Sequence, residues 1–395
     1  MEFQVGDLLR YQGMAASVNT ARAIYALNWF DITPGFIYIA ADLKLRVVDL
    51  GIMTASFYVG LALFQLVGGV LASRMGAKVV AFIGIMTLGI SAILSGYSYN
   101  LTELAIFRFM AGVGSALFFS PGLSVLKNIS PPESFGLQVG IYNGAFNLGA
   151  GVGAFGWVFV DRIVGWRLSL VVGGLLAVGI AVENALALRD VKEEKVRMEG
   201  ITVRLAGIVW NRLLWLLSIG TIIVIFSETI IGQFIIFFGE KYLSFSSFQA
   251  GLVDGVFLIL GFVGGVVGGH IISKTSRRKM FTYFILVVDG VLFMFIPFAS
   301  SFYLLLVVVT ALGLVVVSGF SILYTLAAEI IEDKTMTSFS LSFVNFIQLV
   351  LGSLSPLLFT EILAHSDYID PWIILGAIGL AAVPLLVRVE TKYFR

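Results

Sequence analysis

The chain has 395 residues, 59% hydrophobic and only 12% charged, with a net charge of +1. A soluble domain carries about 25% charged residues, so this composition points to a bilayer and away from nucleic acid as a partner. Cysteine is absent, which excludes disulfides and thiolate metal sites, and the two histidines, His270 and His365, both lie near expected span ends, where a histidine metal site or a catalytic triad is hard to build.

The amino terminus, Met1 to Asp7, does not read as the basic leader of a signal peptide. Twelve apolar runs follow, at about 18–40, 50–72, 79–98, 101–124, 136–160, 166–188, 211–238, 250–272, 280–299, 302–327, 338–363 and 372–388. Each is expected to be a helix, because lipid offers no partner to a free backbone group. Arg189, Asp190, Lys192, Glu193, Glu194, Lys195, Arg197 and Glu199 interrupt the pattern. They mark residues 189–210 as a solvated linker between an amino-terminal half, 1–188, and a carboxy-terminal half, 211–395. The expected fold is all-α and integral to the membrane, with two bundles of six transmembrane helices.

Lysine and arginine set the expected orientation. With the amino terminus inside, the inner loops hold Arg74, Lys78, Lys127, Lys274, Arg277, Arg278, Lys279 and Lys334, and Arg10, Arg22, Arg388, Lys392 and Arg395 join the termini. The outer loops hold only Lys44, Arg46, Arg162, Arg167 and Lys241. Both termini are expected to be cytoplasmic, in a cell membrane.

Two loops echo one another at an offset of 200 residues. Gly69, Ser73, Arg74 and Lys78 match Gly269, Ser273, Lys274 and Arg278, and Gly76 and Arg277 belong to the same loops. Gly51 and Gly251, Phe57 and Phe257, and Gly68 and Gly268 share the offset, with Leu101 and Ser301 opening the fourth span of each half. A fixed offset is the mark of a duplication, and two similar halves in a membrane suggest a transporter with its site between them.

Gly69-x-Leu-Ala-Ser73-Arg74-x-Gly76-x-Lys78 resembles the signature loop of the major facilitator superfamily. Arg108-Phe-Met-Ala-Gly112-Val-Gly114 in the fourth span, Gly165-Trp166-Arg167 at the sixth and Glu390-Thr391-Lys392 in the tail add to the likeness. It covers nearly the whole chain. It implies two pseudo-symmetric six-helix bundles that rock about a central cavity lined by the first, fourth, seventh and tenth spans. Ser73 stands where the family usually has aspartate. A serine can cap a helix end but cannot pair with a basic neighbour. Nitrate porters of the family use arginines in the second and eighth spans, and this chain has none there. The Gly-Pro motif of drug and antiport branches is replaced by Gly149-Ala-Gly151-Val-Gly153.

Ionisable groups inside spans are costly and are candidates for function. At 1.5 Å per residue, Asp31 lies about 13 Å from the outer end of its span, Arg108 about 10 Å, Glu228 about 15 Å and Asp254 about 6 Å. Asp31 and Arg108 are expected to pair, either as a proton switch or as a static tie between two helices. Glu228 is the second coupling candidate. Its alternatives are a neutral acid bonded to a backbone carbonyl, a partner for Arg108 and a contact for a cationic substrate. Arg108 and Asp254 are substrate-binding candidates. So are the amides Asn143 and Asn147 of the fifth span, Asn345 and Gln348 of the eleventh, and Gln233 of the seventh. Gln65, Tyr58, Ser227 and Tyr324 are weaker ones.

With no nucleotide loop, metal cluster or triad, an enzyme is the least expected class and no cofactor is expected. The favoured reading is a monomeric, proton-coupled secondary transporter of a small organic anion or polyol. The alternatives are an exporter of drugs or organic cations and, from another class, a transporter-like receptor that does not cycle.

Overall fold

A computed structural model describes residues 5–130, 135–191, 207–331 and 337–389. Lys192 to Glu199 of the linker, Lys334, Glu390-Thr391-Lys392 and Arg395 lie outside the described residues. The chain forms α1 (Val5–Trp29), α2 (Phe36–Asp42), α3 (Val47–Met75), α4 (Ala77–Gly96), α5 (Leu101–Ile129), α6 (Phe135–Ala187), α7 (Arg212–Gly220) and α8 (Ile222–Tyr242). It continues with α9 (Ser247–Lys274), α10 (Arg278–Phe295), α11 (Phe302–Ile330), α12 (Thr337–His365) and α13 (Asp370–Ala382). There is no strand among the described residues.

Ten of the helices are long and apolar enough to cross a membrane. One of them, α6, supplies two crossings. It is interrupted at Gly165, whose φ of 81° and ψ of 157° belong to a region where glycine alone is unstrained. The first crossing is built from α1, a tight turn (Thr33–Gly35) and α2. Together these give the twelve expected crossings.

Two crossings expected to be continuous are broken. Pro34 opens the turn after α1, and proline cannot give the hydrogen bond that a continuing helix needs. Asp31 therefore sits in a non-helical step between α1 and that turn, not within a helix. The seventh crossing breaks at Thr221, whose φ is −106° and ψ 17°. Carbonyls freed at such a break need partners. Thr221 Oγ1 donates to Leu217 O at 2.9 Å, and Gln348 Nε2 donates to Ser218 O at 2.8 Å.

The halves repeat in detail. A Cβ on Gly112 of α5 would stand 2.0 Å from the Phe57 carbonyl oxygen, and one on Gly313 of α11 2.5 Å from that of Phe257. The same pair of crossings packs glycine onto backbone in each half. Asn100 caps α5 and Ser301 caps α11, so the register there is 201 and Leu101 matches Phe302, not Ser301.

The halves touch through α3 with α12, α6 with α9, and the first crossing with α8. These contacts form a related pair. A Cβ on Gly51 would meet Thr360 and Pro356 of the other half, and one on Gly251 would meet Val158. Both lie at the end of the molecule away from the termini. Phe36 meets Phe234 there, with ring centroids 5.4 Å apart and planes tilted at 55°. The space that both halves line is the cavity.

Candidate functional site

The cavity has a volume of about 390 Å³ and is lined by both halves. Aromatic side chains dominate its wall: Tyr25, Trp29, Tyr58, Phe119 and Phe146 from the first half, and Phe262, Phe320 and Tyr324 from the second. Trp29 holds the first wall together. Its ring meets Phe57 at 5.1 Å, Phe146 at 5.3 Å and Tyr25 at 5.5 Å, and its Nε1 donates to the Tyr58 hydroxyl at 3.3 Å.

Among the described residues one cation lines this space, Arg22. Read from sequence, Arg22 counted with the basic residues of the terminus. Since α1 begins at Val5, Arg22 is about 26 Å along it. Only 5% of the residue is exposed. The guanidinium carbon lies 4.5 Å from the ring centre of Phe146, 4.6 Å from Tyr25, 4.8 Å from Phe119 and 4.9 Å from Tyr142. Ring faces attract a cation, but they do not neutralise it. Its Nε and Nη1 are buried without a hydrogen-bond partner.

Glu228 of α8 is the carboxylate of the cavity. Asn143, Asn147 and Asn345 also line it, with Gln65, Tyr58 and Tyr324. Two of these amides are already engaged. Asn147 Nδ2 donates to Asn143 O at 3.1 Å, and the Tyr324 hydroxyl donates to Asn345 Oδ1 at 2.8 Å.

The other candidates stand elsewhere. Arg108 and Asp31 do meet: Nη1 donates to Oδ1 at 2.8 Å, with the side chains 2% and 0% exposed. This pair does not line the cavity. It lies behind the wall, with the Arg108 guanidinium 5.0 Å from the Phe57 ring that in turn touches Trp29. Arg108 is placed to hold Asp31, not to touch a solute in this state. Gln348 turns into its own bundle and serves the α7–α8 break, also reaching Thr221 Oγ1 at 3.1 Å. Gln233 accepts from Thr33 at 3.1 Å on the closed side. Asp254 is fully buried in α9 and does not line the cavity. Ser227 donates to Asp289 at 2.6 Å, which ties α8 to α10.

The signature loops close the far ends of their helices. After α3, Gly76 has φ 99° and ψ 140°, a turn that suits glycine. Ser73 caps nothing: its hydroxyl donates back to Val70 O at 2.8 Å, and Ser273 repeats the bond to His270 O at 2.8 Å. Lys78 donates to Leu188 O, Arg189 O and Val191 O at 3.1, 3.2 and 3.1 Å. A cation suits the carbonyl end of a helix, so Lys78 pins the sixth crossing to α4. In the second loop Arg278 pairs with Glu329 of α11. Arg74 and Lys274 are exposed, and the Arg277 amide donates to Thr275 Oγ1 at 3.2 Å.

A family model described as Major Facilitator Superfamily matches residues 18–391. Among curated proteins, a nitrite extrusion protein of Bacillus subtilis is 26% identical over 277 residues, 68% of each chain. The 4-hydroxybenzoate transporter PcaK of Pseudomonas aeruginosa is 30% identical over 158 residues, 38% of this chain and 35% of that one. The quinolone resistance protein NorA of Staphylococcus aureus is 29% identical over 118 residues, 29% of this chain and 30% of that one. Among solved structures, a bacterial homologue of the human lysosomal transporter Spinster, inward-facing and occupied, superposes with a TM-score of 0.77. Its identity is 16%, over 95% of this chain and 94% of that one. A D-xylose-proton symporter gives the same score and identity over 97% and 99%.

Proposed function

The chain belongs to the Major Facilitator Superfamily, and from that premise we propose that it is a secondary active transporter that carries a small organic solute by alternating access. The observation that carries this reading is the central cavity: both halves line it, and the contacts of Gly51 with Thr360 and of Gly251 with Val158 join the halves on the side away from the termini. A solute reaching the cavity from the terminal side meets Arg22, Glu228 and the amides Asn143, Asn147 and Asn345. Rocking of one bundle against the other would open the opposite side. The lysine and arginine bias supports cytoplasmic termini, so the state described here faces the cytoplasm. The protein works as a monomer in the cell membrane.

Energy comes from a proton gradient, with Asp31 as the coupling group. A proton on Asp31 would release Arg108 and loosen the tie between the first and fourth crossings. Asp31 lies in a broken crossing, where a small backbone change can move it, and broken helices commonly mark coupling sites in transporters. The xylose–proton symporter likeness supports proton coupling by analogy of fold. Nitrite is a poorer cargo, because neither α3 nor α9 presents an arginine within its crossing.

A second reading has its own observation. Glu228 faces the cavity with no basic partner among the described residues, as a site for organic cations would require, and the NorA relative is a resistance protein. Uptake into proteoliposomes with and without an imposed proton gradient, screened over organic anions, polyols and cations, tests both. Gradient-driven accumulation supports the transporter reading, the sign of the cargo chooses between the two, and no gradient-dependent movement of any solute would reject both.

A further inference from the structure

Resting on the transporter reading above, we propose that the cavity is an anion site for an aromatic monocarboxylate, held at its carboxylate by Arg22 and at its ring by the aromatic wall.

Charge decides the first part. Arg22 is 95% buried from solvent by relative area, lines the cavity and has no carboxylate partner among the described residues. Four rings within 4.9 Å fix its position. Tyr142, one of the four, is itself held, its hydroxyl donating to Phe119 O at 2.9 Å. A cation fixed in this way, out of water and without a countercharge, is costly unless something completes it. Ring faces supply no hydrogen-bond acceptor, and Nε and Nη1 are without a partner. A carboxylate entering the cavity supplies both charge and acceptors. The cargo is a monoanion because Arg22 is one guanidinium and completes one carboxylate, while a second would stand without a cation in the space that Glu228 also lines. A dianion would leave the site with an excess of negative charge.

The wall decides the second part. A polyol needs many free donors and acceptors, since each buried hydroxyl left unpaired weakens binding. Here Asn147 and Asn345 are already bonded within the protein. Flat rings are what the wall offers. Phe320 and Tyr324 lie nearly parallel, with centroids 6.1 Å apart and planes at 24°. Trp29 presents its indole from the other half. A cargo ring gains from offset or edge contacts with such groups, and a cavity of about 390 Å³ is of the size that small-ligand sites use.

Purified full-length protein in lipid nanodiscs is titrated with benzoate, acetate and benzyltrimethylammonium. Binding is read by the unfolding temperature and by tryptophan fluorescence, to which Trp29 contributes. Benzoate should raise the unfolding temperature and change the fluorescence, acetate should bind far more weakly, and the cation should do neither. Arg22→Gln should weaken benzoate binding by about tenfold or more, as loss of a charge-assisted bond implies, with Arg22→Lys in between. A cavity cysteine gives a measure that leaves Arg22 intact. In this cysteine-free chain Asn143→Cys should react with maleimide more slowly when benzoate is present. Benzoate without effect on unfolding, fluorescence and labelling overturns the proposal. So does binding of the cation in its place, equal binding of acetate, or benzoate affinity unchanged in Arg22→Gln. Gradient-driven uptake of another solute by a protein that ignores benzoate would remove the anion assignment and leave the transporter reading standing.

Discussion

Thr33 and Gln233 stand 200 residues apart and share one hydrogen bond, the Thr33 hydroxyl donating to Gln233 Oε1 at 3.1 Å. The offset of the bond is the offset of the repeat. Two residues that a pseudo-twofold axis exchanges can touch only if they lie beside the axis. A bond at the offset of the repeat is what residues beside such an axis would make, and Phe36 meets Phe234 on the same side with ring planes tilted at 55°. If that side must part for transport, tying these residues stops the cycle. Thr33→Cys with Gln233→Cys, oxidised in membranes, should lose transport and regain it on reduction. Full transport by the cross-linked protein would show that the closed side does not open.

The Asp31–Arg108 pair carries stability as well as any coupling. Removing one member of a buried pair leaves an uncompensated charge and costs about 3–5 kcal/mol. Arg108→Ala should therefore lower the unfolding temperature strongly, and Asp31→Asn added to it should restore part of the loss. Arg108→Lys keeps the charge without the planar fork, so it should weaken stability less than Arg108→Ala. Arg108 lies behind the cavity wall, so cargo affinity should change less than in Arg22→Gln. Thermal unfolding of the three variants checks the ordering, and a double variant no more stable than Arg108→Ala would remove the pair's coupling.

Much of this arrangement was legible in the chain. Span count and the 200-residue echo led to the fold, because hydropathy and repetition report on position along the membrane normal. Depth counting brought Asp31 to Arg108 for the same reason. What hydropathy cannot report is rotation about a helix axis. Asn143 and Asn147 turn to the cavity, while Gln348 turns inwards to mend the break at Thr221. Arg22 was hidden differently. A basic residue near a terminus ordinarily flanks a span, and no local pattern shows that three distant rings, Phe119, Tyr142 and Phe146 from two other crossings, converge on it beside Tyr25. A polar step pattern in α1, with Ser17, Asn19 and Arg22 ahead of Tyr25, was the available signal.

Close helix packing in each half rests on glycine. A methyl on Gly112 would stand 2.0 Å from the Phe57 carbonyl oxygen, so Gly112→Ala must push α3 from α5. Overpacking of this kind costs about 1–3 kcal/mol. Gly69→Ala meets nothing within 4 Å and should be neutral or slightly stabilising. Comparison of unfolding temperatures in one detergent checks both, and equal values for the two variants would contradict the packing.

The last expectation concerns coupling. Asp31 Oδ1 holds Arg108, and Asp31 Oδ2 has no partner. Arg108 lies against Phe57, and Phe57 against Trp29, which lines the cavity. A solute that presses on Trp29 therefore acts, through one ring, on the residue that holds Asp31. The link runs both ways, since coupling between two bound species is reciprocal. Solute binding that disturbs Arg108 makes a proton on Asp31 more favourable, and that proton frees Arg108 to follow the solute. Asp31→Asn imitates the protonated side chain permanently. It should abolish accumulation driven by a proton gradient, yet keep solute binding and permit exchange of solute for solute across the membrane. Trp29→Leu should spare exchange less, because it shortens the contact between cavity and pair. Proteoliposome uptake with an imposed proton gradient, run beside counterflow in the same vesicles, separates these outcomes. If Asp31→Asn still concentrates solute in response to the gradient, the proton travels elsewhere, and Glu228, the carboxylate in the cavity itself, becomes the group to replace next.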